Sequence, residues 1–397
     1  MNLLRYFTAG ESHGKALVGI IEGIPAGLEI DEEYINFQLS RRRKGYGRGG
    51  RMKIESDQVQ ILSGVRGGFT LGTPVSFMIE NRDYSNWEEI MASGREAHLD
   101  EKTVRRPRPG HADLPGAIKY GHTDIRNVLE RASARETAAR VAAGAFFRRL
   151  LETFNINLYS YVVAIGPIRS ETIVVNHNNI DQVVNRSEQS AVRCLDQASE
   201  KQMLQQIDQA QTAGESLGGV FEVGAVGALP GLGSYSNWDR RLDADLGQLL
   251  MSIPAIKATE IGEGIQNAAR NGSQVHDEMH YNNESGLFRP SNHAGGIEGG
   301  VSNGETIWAR AYMKPIPTLY KPLISVNTET WQEEKADIER SDICAVPAAA
   351  VVGEAMLAFG LARAFLDKFG GDNIEQIMSA YRSYNEYVKR VWKWQRI

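Results

Sequence analysis

The chain has 397 residues, 42% of them apolar and 23% charged, which is a globular composition with enough apolar mass for a sizeable core. A formal net charge of −5 argues against general nucleic-acid binding, although a local basic patch can still take an anion. Two cysteines, Cys194 and Cys344, exclude a disulfide framework and a paired-cysteine metal site and fit a reducing cytoplasm. No window reads as the roughly 20 apolar residues of a membrane helix. Met1 to Tyr6 lacks a signal-peptide core. A cytoplasmic protein with no membrane, metal or nucleic-acid partner is the expectation.

In chain order, residues 16–30 read as a strand, a turn bearing Pro25 and Gly27, and a second short strand. Asp31 reads as the N-cap of a helix to about Leu39. The basic stretch from Ser40 to Lys53 reads as a loop, because its glycines break helix. Strands are expected at 54–63 and 74–81, followed by a long irregular segment at 84–110, a length usually reserved for function. Ala138, Val141, Ala142, Ala145, Phe146 and Leu150 recur at helical spacing, so a helix is expected from Arg131 to about Phe154. A strand at 158–168, polar helical segments at 181–211 and a strand at 218–229 follow. Residues 286–304 are glycine-rich. A strand at 306–313 precedes an alanine-rich helix from about Pro347 to Phe369 and a final helix at 373–392. No linker divides the chain, so a single domain over residues 1–397 is expected. The two alanine-rich helices, and the likeness of Gly23–Leu28 to Gly227–Leu232, raise the prospect of an internal pseudo-two-fold.

Two histidines stand in dense polar settings on glycine- or proline-held turns. His13 lies in Gly10-Glu11-Ser12-His13-Gly14, and His111 in Arg106-Pro107-Arg108-Pro109-Gly110-His111-Ala112-Asp113. An imidazole exchanges protons near neutral pH, and arginine clusters take phosphate or carboxylate with paired donors. The competing reading of His13 is a turn residue with satisfied hydrogen bonds. For His111, the arginines 105, 106 and 108 would disfavour the charged ring until an arriving dianion restored it. The basic stretch at 41–53 has three readings: a solvated charge run, an RNA contact, or an anion clamp. Gly45, Gly47 and Gly50 match the letters of a dinucleotide fingerprint but lack its strand-turn-helix setting. Arg131 to Glu136 reads as a helix start able to bind an anion or simply to cap itself, and Asp342 as a helix N-cap. Cys344 reads as a packing residue.

Several of these segments, in this order, resemble the chorismate synthase family over nearly the whole chain. They are Gly10–Gly14, Gly45-Tyr46-Gly47-Arg48-Gly49-Gly50-Arg51, Arg108–Asp113, Ser133-Ala134-Arg135-Glu136-Thr137, Lys314-Pro315-Ile316-Pro317-Thr318 and Arg340-Ser341-Asp342. The resemblance implies an α+β fold, a β-α-β sandwich with long central helices between antiparallel sheets, assembled as a homotetramer. It implies a monofunctional carbon–oxygen lyase of aromatic amino acid biosynthesis. That enzyme removes phosphate and a ring hydrogen from 5-enolpyruvylshikimate 3-phosphate, giving chorismate by 1,4-anti elimination. Reduced FMN is required with no net redox change, and the family's associations extend to NADP and to a separate flavin reductase.

By the same resemblance, His111 protonates the departing phosphate, His13 protonates or hydrogen-bonds the reduced flavin, and Asp342 takes part in proton removal. Arg42, Arg48, Arg51, Arg108, Arg135 and Arg340 clamp the substrate, assisted by Ser12 and Ser133. Arg131, Ala132, Ser133, Pro254, Ala255, Gly299, Lys314, Pro315, Ile316, Pro317, Thr318 and Arg340 match the flavin-binding stretches. Pro254 departs from the Asn or Gln carried by many relatives, which leaves a backbone contact there. The rival readings are a flavin oxidoreductase with true hydride transfer and a nucleic-acid binder using residues 41–53.

Overall fold

Alternating inward apolar residues build the first sheet of this computed structural model, which describes residues 4–49, 56–339 and 341–395. Strands β1 (Arg5–Ala9), β2 (Ala16–Glu22), β3 (Val59–Ser63) and β4 (Val75–Glu80) pair antiparallel in the order β1-β2-β4-β3. Leu17, Ile21, Phe77 and Ile79 are fully buried on its inner face. A second antiparallel sheet holds β5 (Asn157–Ile165), β6 (Ile168–Arg169), β7 (Gly219–Val226), β8 (Ile256–Ile261) and β9 (Ile307–Met313), in the order β8-β9-β7-β5-β6.

The helices are α1 (Glu32–Arg43), α2 (Asp113–Tyr120), α3 (Arg126–Ala132), α4 (Thr137–Glu152), α5 (Ile180–Gln189), α6 (Gln197–Ala213), α7 (Leu242–Met251), α8 (Val346–Phe369) and α9 (Ile374–Trp392), besides shorter turns. The first sheet packs on α4 through β2, α4 packs on α8, and α8 packs on β5 and β7. The fold is α+β. One continuous apolar core runs from Leu4 to Tyr381 through α1, α4, α7 and α8.

Several expectations change. Helix α1 continues to Arg43, because Arg41 and Arg42, expected in a loop, bury their side chains at 3% and 4% exposure. The single helix expected from Arg131 is two: α3 stops at Ala132, and extended Ser133 caps the next turn by accepting from Arg135 N. The helical stretch at 181–211 breaks at Ser190, whose hydroxyl accepts from Val192 N and Cys194 N. The second short strand before Asp31 is only two isolated bridges, Ala26 to Asn373 and Glu29 to Phe69. The strand expected at 54–63 is described from Val59; residues 50–55 lie outside the described residues. Strands β1 and β8 and helices α2 and α7 had no clear periodic signal. Helix α8 has the length and apolarity of a membrane span, contrary to expectation, and it is buried inside the protein as a core helix.

Candidate active site

The His13 turn is held from three sides. Glu130 on α3 accepts from the His13 backbone N (2.7 Å) and faces His13 Nδ1 with both oxygens, at 2.8 and 3.0 Å. Ser12 N donates to the Glu130 carbonyl (2.9 Å), and Ser12 Oγ donates to Ser133 Oγ (3.1 Å). The Trp87 ring stacks on the His13 ring with centroids 4.0 Å apart. Asn81 Nδ2 donates to the carbonyls of Glu11 and Gly14, and its Oδ1 accepts from Arg135 Nε (2.9 Å). Burial pushes the Glu130 carboxyl up, but the His13 hydrogen bond and Arg126 bring it below its ordinary value, so it is ionised at neutral pH.

Beside this turn lies a buried arginine cluster. Arg42 donates from Nε to Thr137 Oγ1 and from Nη2 to the Ala134 carbonyl, both at 2.9 Å. Its Nη1 sits 3.6 Å from Asp57 Oδ2, and Arg135 Nη1 pairs with the other oxygen of the same carboxylate. Burial pushes Arg42 down to about 10, opposed by Asp57, so it stays charged at neutral pH. Asp57, fully buried, carries a left-handed backbone (φ 42°). The α1 end that carries Arg42 is locked by Arg41, which donates to both Glu354 oxygens on α8 (2.9 and 3.0 Å) and to Glu188 on α5 (2.7 Å). Past it, Arg48 pairs with Asp342 Oδ2 (2.9 Å) while Gly49 N donates to Asp342 Oδ1 (2.6 Å). Asp342 is therefore not the expected N-cap; that position is Ala345. Cys344 is buried and its thiol is pushed up to about 12 by desolvation, which suits packing.

A second cluster forms around His111. Asp113 accepts from Arg108 N, Nε and Nη2 at 3.0, 2.8 and 3.0 Å, and its Oδ1 lies 2.5 Å from His111 Nδ1. Burial would raise the Asp113 carboxyl, yet the His111 and Arg108 hydrogen bonds hold it well below the carboxylate range. Arg108 Nη1 donates to Thr318 Oγ1 (2.8 Å), and Lys314 Nζ donates to the Gly110 carbonyl. Ile316 accepts from Ser216 Oγ (2.6 Å), and Ala255, at φ 68°, accepts from Lys314 N (2.9 Å). The crowd of free cations expected at His111 is corrected: Arg105 pairs with Glu329, and Arg106 with Glu334 and Asp337. Of these three arginines, Arg108, shared with Asp113, is the one that reaches the ring.

One segment ties the clusters together. Asp337 holds Arg106, Glu339 accepts from Arg126 Nη2 (3.0 Å) next to Glu130, and Asp342 holds Arg48. Arg106 of the His111 segment, Arg126 beside Glu130, and Arg48 thus meet acidic partners at three nearby positions of the chain.

The profile of the chorismate synthase family matches residues 4–366. This chain belongs to the chorismate synthase family. It is 64% identical over 395 residues to the chorismate synthase of Syntrophomonas wolfei, covering both chains fully. It is 56% identical over 389 residues to that of Desulforamulus reducens, covering 98% and 100% of the two chains. A crystal structure of a chorismate synthase superposes with a TM-score of 0.80 at 43% identity, covering 98% of each chain.

Of the residues the family resemblance singles out, Ser12, His13, Arg42, Ser133, Arg135, Arg48 and Asp342 are linked in or beside the first cluster. Arg108, His111, Lys314 and Thr318 form the second, with Ala255, Pro315, Ile316 and Pro317 held against it through the backbone of that loop. Arg131, in the last turn of α3 rather than at a helix start, donates to the carbonyls of Thr8 and Gly10; Ala132 follows it as the last helical residue. Gly299 sits at the tip of a hairpin whose hydrogen bonds run to Leu232 and Arg289, away from both clusters. The Pro254 side chain has no described partner in either. Arg51 and Arg340 lie outside the described residues. Sequence reading missed Glu130, Asp57, Asn81, Trp87 and the orienting role of Asp113. The last lay in a quoted motif; the others were too distant in sequence to signal.

The donor set suits a reduced flavin with its phosphate tail. Among the described residues Arg42 Nη1, 3.6 Å from Asp57 Oδ2, is buried without a hydrogen-bond partner, and Ser12 and Ser133 stand at the His13 turn while Lys314 and Thr318 contact the His111 turn. Among the described residues no cluster of acids, cysteines and histidines could hold a metal ion.

Proposed function

We propose that the chain converts 5-enolpyruvylshikimate 3-phosphate to chorismate by 1,4-anti elimination of phosphate, using the residues gathered around His13 and His111. Membership of the chorismate synthase family supports the reaction. The observation that carries the residue assignment is the pairing of each histidine with a buried ionised carboxylate, beside arginines fit for a polyanion. Reduced FMN supplies electron density when bound, with no net redox change.

His111 keeps its Nδ1 proton on Asp113 and delivers the Nε2 proton to the departing phosphate. Arg108, held by Asp113 and Thr318, presents its positive charge and remaining N–H groups to that phosphate. His13 holds a proton against the flavin edge. Asp342, positioned by Arg48 and Gly49, assists removal of the ring hydrogen. Arg42, Arg48, Arg135, Ser12 and Ser133, with Arg51 and Arg340, bind the remaining anionic groups of the substrate. By the family resemblance, Arg131 to Ser133, Pro254 through its backbone, Ala255, Lys314 to Thr318 and Arg340 bind the flavin; Gly299, the remaining residue so implied, stands on a hairpin away from both clusters.

An anaerobic assay with reduced FMN tests the reading. Phosphate release without matching flavin oxidation is expected; one oxidised flavin per product would mean hydride transfer instead. The RNA reading is weaker, since Arg41 and Arg42 are buried in ion pairs.

The layering supports a single β-α-β sandwich, with the first sheet on α4 and the second on α8. The packed pair of apolar helices α4 and α8 is in keeping with an internal pseudo-two-fold. A homotetramer is supported by the outer face of the first sheet. There Phe7 and Ile20, register partners, are 64% and 49% exposed beside Val18, an apolar surface suited to a second subunit. The enzyme is read as cytoplasmic and fed by a separate flavin reductase.

A further inference from the structure

The feature least explained by the elimination itself is the concentration of contacts on one buried carboxylate, Glu130. It lies 117 residues from His13 in sequence and is 2% exposed. Three donors converge on its two oxygens. His13 N reaches Oε2 at 2.7 Å, Arg126 Nη1 reaches Oε1 at 3.1 Å, and His13 Nδ1 faces both at 2.8 and 3.0 Å. An ionised carboxylate has no proton to offer, so the ring nitrogen against it must carry one. Trp87, stacked at 4.0 Å and 21° from parallel, fixes the plane of the same ring. Trp87 is itself covered by the Arg126 guanidinium at 5.1 Å and the Lys102 ammonium at 5.6 Å.

We propose that Glu130 is the positioning residue of His13: it locks the imidazole with its proton on Nδ1, making Nε2 the atom that exchanges a proton with whatever occupies the site. This rests on the reading of His13 as a group acting beside the flavin, and it adds the tautomer, the exchanging atom and the residue that sets them. Trp87 restrains the ring plane and Glu130 the rotation within it, so the two together leave one orientation. Arg126 links the lock onward to Glu339, three positions before Asp342. The same carboxylate therefore couples the turn bearing His13 to the segment bearing Asp342.

The substitution Glu130→Gln separates this role from mere support. A glutamine offers one oxygen where the carboxylate offers two, and the His13 backbone N and Arg126 both need an acceptor. Those two donors reach different oxygens, so the amide NH2 replaces one acceptor and also lies against Nδ1, which faces both positions; an NH2 there favours an unprotonated Nδ1. The tautomer is expected to invert while shape and volume are kept. Long-range proton–nitrogen NMR of 15N-histidine-labelled full-length protein reads this directly, without flavin or substrate.

In the unaltered protein at a pH above the imidazole titration, the His13 Nδ1 signal is expected in the protonated range and Nε2 in the unprotonated range. In Glu130→Gln the two exchange. With reduced FMN and substrate, kcat is expected to fall by about 10- to 100-fold, the usual scale for losing an orienting partner, with a KM change below about twofold by the same reasoning that the substrate contacts are untouched. Glu130→Asp keeps an acceptor-only group and is expected to restore the protonated Nδ1 signal and part of kcat. An unprotonated Nδ1 in the unaltered protein overturns the proposal with no variant needed. An unchanged His13 pattern in Glu130→Gln overturns it as well. If His13→Ala turns over normally, the role of His13 fails while the NMR result still decides what Glu130 does.

Discussion

His111 shows how a single buried carboxylate changes what a residue can do. Its Nδ1 faces Asp113 at 2.5 Å, and Asp113 also takes three donors from Arg108. Asp113 faces the ring as a fixed anion, a partner that needs no arriving dianion. The arginine is oriented by Asp113 on one side and, through Nη1, by Thr318 on the other. His111→Ala is expected to retain flavin binding, measured by titration with FMN, and to lose kcat by about 100-fold or more, the scale of a general acid. Turnover at the level of the unaltered protein would remove His111 from the mechanism. The neighbouring Arg42 and Arg135 share Asp57 in the same manner. Two guanidiniums that would repel one another are held side by side at a cost in desolvation that the shared anion offsets.

At the level of elements, the site depends on how closely α4 and α8 approach. Gly144 makes that approach possible: a Cβ there would lie 2.4 Å from the Ala355 Cβ and 2.9 Å from its Cα. Helix α4 follows directly from the Ser133–Glu136 turn, so its seat sets where Ser133 and Arg135 stand. Gly144→Val is expected to lower stability by about 1–3 kcal/mol through overpacking, read as a lower thermal midpoint. Adding Ala355→Gly should recover part of the loss, and a Gly144→Val protein as stable as the parent would show that the helices can part freely. The C-terminal end of α1 is fixed differently, by charge. Arg41 grips Glu354 with two parallel hydrogen bonds, and Arg148 on α4 pairs with the same carboxylate. The ion network pins α1, α4 and α8 together one residue away from Arg42.

Across the whole molecule, carboxylates held by arginine are expected to set the acid limit of the fold. Burial would raise Glu188, but Arg193 and Arg41 hold it down to about 2. Its ordinary value in an unfolded chain is about 4.3. Because the folded value is the lower one, its contribution is complete above about pH 4.3 and disappears as the pH falls toward 2. Glu188→Gln is expected to flatten the dependence of unfolding free energy on pH across that window, checked by denaturant titrations at several pH values. A slope equal to that of the unaltered protein would place the acid sensitivity elsewhere. The segment from Asp337 to Asp342 acts at this scale too, since it holds Arg106, Arg126 and Arg48 in turn.

The sequence by itself determined the elements with strong periodicity and the turns with strong breakers. Helices α4 and α8 declared themselves through alanine and apolar residues at helical spacing, and both histidine turns through their glycines and prolines. The family was legible from short segments in a fixed order, because glycine turns and arginine runs keep their letters locally. Only the tertiary structure decided the partners. Glu130 reaches His13 across 117 positions, Asp57 reaches Arg135 across 78, and Asp342 reaches Gly49 across 293. It also turned Arg41 from a supposed loop cation into a buried anchor and made a membrane-length helix into a core. Propensity and turn chemistry act over a few residues, whereas charge pairing and burial depend on distance in space, which no local pattern encodes.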